Sequence, residues 1–103
     1  MAIQPLPIVP ATIIILPPGD FIVSASITPV VLVPANTLRR MVTIYNDSTA
    51  VLYVALNGVV SSTNYTVQLF PQDYFELTIP IYTGDIWGVW AAADGRANSM
   101  EFY

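Results

Sequence analysis

The sequence predicts an all-β fold, an antiparallel β-sandwich or small jelly roll that carries an extended, proline-rich N-terminal arm. Several short runs rich in β-branched and aromatic residues alternate between apolar and polar positions, as strands with one buried face do. These runs recur at a spacing of ~10 residues, which is typical of sandwiches and jelly rolls. Five of the nine prolines fall within the first 20 residues, where they disfavour helix.

The composition is unusual for a small protein that stays alone in solution. Hydrophobic residues make up 54% of the 103 residues and charged residues 10%, whereas a typical globular domain has ~25% charged residues. Such a low charge predicts that other subunits cover part of the surface. A net charge of −4, with no lysine, argues against nucleic acid as a partner.

Several classes of site and segment are not expected from this composition. The chain has no cysteine and no histidine, so it lacks a disulfide framework, thiolate metal ligands and the commonest general base. The first residues lack the basic region of a signal peptide. The apolar run at residues 13–16 is far shorter than the ~20 residues of a membrane-spanning helix. We therefore expect no cofactor, no metal and no membrane partner.

Residues 1–20 are predicted to form the arm and residues 21–103 the β-domain. The arm is apolar, and in water it would be an aggregation hazard. We expect it to dock on a neighbouring subunit or on its own sheet. Its candidate contact residues are Ile3, Leu6, Ile8, Val9, Ile13, Ile14, Ile15 and Leu16.

The centre of the chain, residues 38–58, predicts a β-hairpin. Two alternating runs flank the polar residues 46–49, which favour a turn because Asn and Asp bond to the local backbone. Before this hairpin, residues 21–27 and 30–33 are short strand candidates, and the prolines that bound them suit edges or corners.

The remaining strand candidates are residues 65–70, 74–79, 86–91 and 97–103. Asn57-Gly58 predicts a type I′ turn that leads into a strand at residues 59–60, and Asp94-Gly95 predicts the turn of a last hairpin. Trp87 and Trp90 are separated by an odd number of positions, so they are expected on opposite faces. The total is seven or eight strands.

No arrangement of side chains predicts catalysis. Most of the seven acids lie in predicted turns, and Asp73 and Glu76 would point to opposite faces of one strand. Neither histidine nor lysine is present to activate a Ser or Thr. We therefore expect that the chain is not an enzyme.

The aromatic and basic residues suggest contacts with other subunits. Tyr and Trp side chains could form a sugar-binding platform, but core packing and interfaces explain them at least as well. Arg39 and Arg40 are read as one inward and one outward residue; one pairs with an acid across a subunit boundary, or both mark a solvated strand end. The candidate oligomer or capsid contacts are Arg39, Arg40, Tyr45, Tyr53 and Trp87.

Residues 38–103 resemble the small β-domain of tailed-bacteriophage virion proteins. The features that carry this resemblance are Asn46-Asp47-Ser48 before Leu52-Tyr53-Val54, the run Asn64-Tyr65-Thr66-Val67, Tyr74-Phe75-Glu76-Leu77, Tyr82-Thr83-Gly84, Ile86-Trp87-Gly88 and Ala93-Asp94-Gly95. Phage capsid decoration (cement) proteins are similar in size and also join a β-rich body to an extended N-terminal arm.

The resemblance implies a structural role on the capsid surface of the virion, after synthesis in the host cytoplasm. Its expected partners are the major capsid protein, whose neighbouring copies the arm would tie together, and further copies of the chain itself. Among oligomers the resemblance favours a homotrimer, with a homodimer as the alternative. The same kind of domain occurs in head fibres, tails and baseplates, so a receptor- or glycan-binding module is the second hypothesis.

Overall fold

The computed structural model describes residues 19–103, and these residues form an all-β sandwich. The predicted fold class is confirmed. The eight strands are β1 (Gly19–Ser24), β2 (Val30–Val33), β3 (Met41–Ser48), β4 (Leu52–Ala55), β5 (Val67–Leu69), β6 (Tyr74–Leu77), β7 (Ile86–Trp90) and β8 (Gly95–Phe102). The predicted arm contacts, from Ile3 to Leu16, lie outside the described residues.

The strands form two four-stranded antiparallel sheets. The β1 sheet has the order β1-β8-β3-β6, and the β2 sheet has the order β2-β7-β4-β5. Every connection except that between β4 and β5 crosses from one sheet to the other. The pairs β1·β8, β2·β7, β3·β6 and β4·β5 are nested like one long hairpin rolled up on itself, which is the double Greek-key topology of a jelly roll.

The hairpins predicted from sequence are wrong in two places. Strands β3 and β4 belong to different sheets, and so do β7 and β8. Alternation specifies which face of a strand is buried, but it does not specify which strand lies alongside. The predicted type I′ turn is also wrong, because Gly58 does not have a positive φ. Gly95, with φ +93°, is the position that needs glycine, since a Cβ there would lie 2.5 Å from the carbonyl oxygen of Asp47.

The core lies between the sheets and follows the alternation of the strands. Along β3 every second residue is buried, from Val42 to Ser48. The largest fully buried apolar side chains are Leu32, Ile44, Leu52 and Ile86, and burial of each stabilises the fold by about 1.5–3 kcal/mol relative to exposure.

Two of the polar residues predicted to form a turn, Asn46 and Ser48, instead belong to a hydrogen-bonded cluster in this core. Asn46 is fully buried, and its Nδ2 donates to the carbonyl oxygens of Ala50 at 2.8 Å and Leu69 at 3.0 Å. Its Oδ1 accepts from Ser48 Oγ at 2.7 Å and from Trp90 Nε1 at 3.2 Å. Because both ends of the amide have partners, burying it avoids the penalty of an unsatisfied polar group.

Candidate interaction surface

Arg39 lies inside the domain, in a charged cluster at one end of the sandwich. Its Nε donates to Glu101 Oε2 at 2.7 Å, and its two terminal nitrogens donate to the carbonyl oxygens of Tyr82, Gly84 and Pro34 at 2.6–3.0 Å. The Arg39 side chain is 0% exposed. The expected contact of Arg39 with another subunit is therefore wrong, because the acid it pairs with belongs to its own chain.

The other four candidate contact residues do not form one site. Arg40 is exposed, and its main-chain N–H donates to the carbonyl oxygen of Phe102 at 2.7 Å. Tyr45 projects from the outer side of the β1 sheet, whereas Tyr53 and Trp87 project from the outer side of the β2 sheet. The prediction for the two tryptophans is confirmed, since Trp87 faces outward and Trp90 enters the core.

The outer side of the β2 sheet, here called the covered face, is packed beneath a loop of the same chain. The residues of this cluster are Tyr53, Ala55, Val60, Trp87 and Val89. The loop between β4 and β5 supplies Val60, which is 3% exposed. Gly58 of the same loop lies against the indole of Trp87, so that a Cβ there would be 3.3 Å from Cζ2. Much of the aromatic surface expected to meet a partner is thus already in contact with the chain itself.

The outer side of the β1 sheet, here called the open face, presents apolar side chains to solvent. Ile22 is 71% exposed, Tyr74 55% and Phe102 38%. The apolar and aromatic members of the open face are Ile22, Met41, Tyr45, Tyr74, Met100 and Phe102. An exposed surface enriched in apolar side chains is typical of a protein–protein contact.

The strand register arranges the open face in rows that cross the sheet. In one row Ile22, Asn98, Tyr45 and Tyr74 lie side by side on β1, β8, β3 and β6. A shallow groove of about 320 Å³ between β1, β8 and β3 is lined in part by Ile22, Met100 and Thr43. The charged side chains Asp20, Asp47, Glu76 and Arg96 stand around the margin of this surface.

Four titratable groups of the open face form two pairs, Tyr74 with Glu76 and Arg96 with Asp47. Tyr74 and Glu76 are two residues apart on β6 and share a face, and the Tyr74 hydroxyl donates to the Glu76 carboxylate. This hydrogen bond is the main reason that the pKa of Tyr74 is raised above its ordinary value, with the negative charge of Glu76 adding to the effect. Arg96 Nε donates to Asp47 Oδ2 at 3.1 Å.

Two kinds of site are missing from the part of the chain that the structure describes. Residues 19–103 contain no group of three or more Asp, Glu, Cys or His side chains placed to hold a metal ion. Over the same range, no helix is long and apolar enough to cross a membrane.

Sequence reasoning missed several members of the open face, namely Ile22, Met41, Met100 and Phe102. The signal was present in β8, where Asn98, Met100 and Phe102 alternate with buried neighbours. What the sequence did not provide was the strand order that brings β1, β8 and β3 together.

Comparison of the chain with protein-family models, with curated proteins and with solved structures found no match. Its function must therefore be inferred from its own surface, charge and topology.

Proposed function

We propose that this chain is a structural component of a tailed-phage virion that binds the outer capsid surface and cements neighbouring major capsid proteins. The observation that carries this proposal is the open face, where Ile22, Tyr74 and Phe102 remain exposed on one side of the sandwich. A cement protein works by contact alone, so a broad apolar surface without reactive groups suits that role.

The composition of the open face supports a contact with protein. Aromatic residues and methionine are enriched at protein–protein interfaces, and the face contains Tyr45, Tyr74, Met41, Met100 and Phe102. The jelly-roll architecture is also used by viral capsid domains, although lectins and enzymes share it. The fold is therefore compatible with the proposal but does not select it.

The arm is the second part of the proposed contact. Strand β1 begins at Gly19, within the predicted arm, and lies at the edge of the β1 sheet, so the residues before Gly19 join the domain at the border of the open face. Apolar arm residues that add to a neighbour's sheet would gain main-chain hydrogen bonds. Many copies on a lattice, each held by a face and an arm, would bind with high avidity from modest individual contacts.

Binding to capsid shells assembled without this chain tests the proposal. Deletion of residues 1–18 leaves β1 whole, so the domain should keep its circular dichroism spectrum and unfolding temperature. We expect co-sedimentation with the shells to weaken by at least about tenfold, because the avidity of the second contact is lost. Undiminished binding of the truncated, folded chain would count against the arm as a clamp.

A matched pair of charge substitutions tests the open face. Met100→Asp places a carboxylate on the open face, whereas Val59→Asp adds the same charge at a site that is 68% exposed on the loop over the covered face. We expect only the Met100→Asp variant to bind the shells more weakly. Equal binding by both folded variants would remove the open face from the proposal.

A receptor- or glycan-binding module of a head fibre, tail or baseplate is the second candidate. The observation that favours it is a groove of about 550 Å³ beside the covered face, lined in part by Tyr53, Ser61 and Ser62, because an aromatic ring next to hydroxyl groups suits a sugar. A glycan array probed with the folded chain and with Tyr53→Ala tests this candidate. Binding that Tyr53→Ala abolishes would support it, and a blank array would eliminate it.

A further inference from the structure

The outer edge of β1 differs from the other three sheet edges. The edge strands β2, β5 and β6 contain only four, three and four residues. Strand β2 is further protected by Pro29, by Pro34 and by a shift of register between Val31 and Val33. Strand β1 has six residues in continuous register with β8 and contains no proline, lysine or bulge. Long, regular edges without such protection are the ones that pair with another strand.

The backbone of β1 presents unused hydrogen-bonding groups along this edge. The N–H of Ala25 donates to the carbonyl oxygen of Gly95 at 2.9 Å, in register with the β1·β8 ladder. Because alternate residues of an antiparallel strand bond to the same neighbour, Phe21 and Val23 also point their backbone groups toward β8. The backbone N–H and C=O groups of Asp20, Ile22 and Ser24 point away from β8. Within residues 19–103 no strand pairs with this side of β1.

We propose that two copies of this chain pair through β1, antiparallel, about a two-fold axis at Ile22. Residues directly opposite each other in an antiparallel pair project to the same face, so the axis must pass through a residue position. An axis at Ile22 sets Ile22 opposite itself and Asp20 opposite Ser24 of the second copy. The outward backbone N–H and C=O groups of these residues then face those of the second copy, giving about six main-chain hydrogen bonds from three facing pairs.

The side chains favour this register over an axis at Phe21. With the axis at Ile22, the exposed Ile22 side chain packs against its own copy, and Phe21 lies opposite Val23 of the second copy, beside the core. With the axis at Phe21, the Asp20 carboxylate would lie opposite Ile22, and only two facing pairs would bond.

The charges around the edge are also complementary in this register. Ser24 lies opposite Arg96 within each copy, so Asp20 of the second copy enters the same row, two strand spacings or roughly 10 Å from Arg96. The Arg96 side chain is 57% exposed and bonded to Asp47 on its other side, so its positive charge faces this row and attracts the carboxylate. The two-fold axis creates this attraction twice, and it keeps the two Asp20 carboxylates apart.

Such a dimer would join the two β1 sheets into one sheet of eight strands and place the two open faces side by side. Pro17 and Pro18 have no N–H to donate, so the ladder between the two copies does not extend beyond Gly19 toward the N-terminus. The dimer specifies how copies of the chain associate in the proposed function, but the dimer and the capsid role can be tested separately. A monomer that binds capsid shells would contradict the dimer alone, and a dimer that ignores shells would contradict the capsid role alone.

Cysteine cross-linking of the full chain tests the register, since the native chain has no cysteine. Facing residues of a hydrogen-bonded pair have Cα atoms ~5.5 Å apart, within the range that a disulfide spans. We expect Ile22→Cys to form covalent dimers on mild oxidation and Ser24→Cys alone to form few. A mixture of Asp20→Cys and Ser24→Cys chains should cross-link to each other. Ile79→Cys, at a site 92% exposed, reports the rate of random collision.

Sedimentation equilibrium with a matched pair of lysine substitutions tests the association itself. Ile22→Lys and Ile79→Lys each add one positive charge at an exposed isoleucine, but only the first lies on β1. We expect the native chain and Ile79→Lys to dimerise and Ile22→Lys to dimerise much more weakly. Ile22→Pro removes the outward N–H of residue 22 together with the isoleucine side chain. It should raise the dissociation constant at least roughly thirtyfold, because two hydrogen bonds per dimer and the Ile22 contact are lost.

Three results would overturn the proposal. The first is a native chain that sediments as a monomer at its highest soluble concentration. The second is a dimer that persists undiminished in folded Ile22→Lys. The third is cross-linking of Ser24→Cys, or of Ile79→Cys, as fast as that of Ile22→Cys.

Discussion

The two outer faces of the sandwich each belong to a four-stranded antiparallel sheet, but they differ in what packs against them. On the covered face, the loop between β4 and β5 folds back so that Val60 packs among Tyr53, Trp87 and Val89. On the open face, Ile22 and the neighbouring apolar side chains remain in solvent. The sparse charge of the chain predicts that part of its surface is covered, and on the covered face the loop of the chain itself provides that cover.

The difference shows how a small domain can divide its apolar surface between stability and association. Side chains under the loop add to the free energy of folding, because folding itself removes them from water. Side chains on the open face contribute little to folding and are free to contribute to binding. Substitutions on the two faces should therefore separate into those that change stability and those that change association.

The largest difference is expected between two ion pairs, one enclosed and one on the open face. Glu101→Ala leaves the fully enclosed Arg39 without its carboxylate and should lower the free energy of unfolding by about 4 kcal/mol. Asp47→Ala breaks the exposed pair with Arg96 and should cost about 1 kcal/mol or less. Urea unfolding of both variants measures the difference, and equal losses would contradict the burial of Arg39.

Two adjacent valines in the loop over the covered face give a smaller but sharper contrast. Val60 is 3% exposed and Val59 is 68% exposed. Val60→Ser should lower the free energy of unfolding by about 2 kcal/mol, because it removes packed methyl groups and buries a hydroxyl. Val59→Ser should change it by less than about 0.5 kcal/mol. If thermal unfolding shows no difference between the two variants, the loop does not cover this face.

The smallest effect is a change in ionisation on the open face. Because Glu76 accepts a hydrogen bond from Tyr74 and repels its phenolate, the pKa of Tyr74 is raised, and Glu76→Gln should lower it toward the ordinary value. The folded chain holds the proton at a pH where the unfolded chain releases it. The resulting stabilisation is therefore lost as the pH rises through the raised pKa. An NMR titration of labelled tyrosine rings measures the pKa, and an unchanged value in Glu76→Gln would contradict an effect of the Glu76 charge on Tyr74.

The fold class was predictable from sequence because alternation and turn spacing are local properties. The strand partners were not, since nothing local distinguishes a hairpin at residues 46–49 from a crossing between sheets. Asn46 and Ser48 were misassigned for a physical reason. Short polar side chains favour turns, but the same groups are stable in a core when Trp90 and the backbone satisfy them.

The candidate surface was only partly predictable for the same reason. Tyr45 was chosen from the sequence and belongs to the open face, but Met41, Met100 and Phe102 join it only through the pairing of β3 with β8. Arg39 and Arg40 were read as one inward and one outward residue, and the structure leaves Arg40 exposed and buries Arg39. Its burial depends on carbonyl groups from two loops that the sequence alone could not bring together.

The methionines of the open face allow the most direct test of its role. Met41 and Met100 are both half-exposed on that face, and peroxide converts accessible methionine to the sulfoxide. Both should oxidise readily in the free chain and much more slowly when the chain is bound to capsid shells, as measured by peptide mass spectrometry. If both oxidise as fast on the shell as in solution, the open face does not meet the capsid.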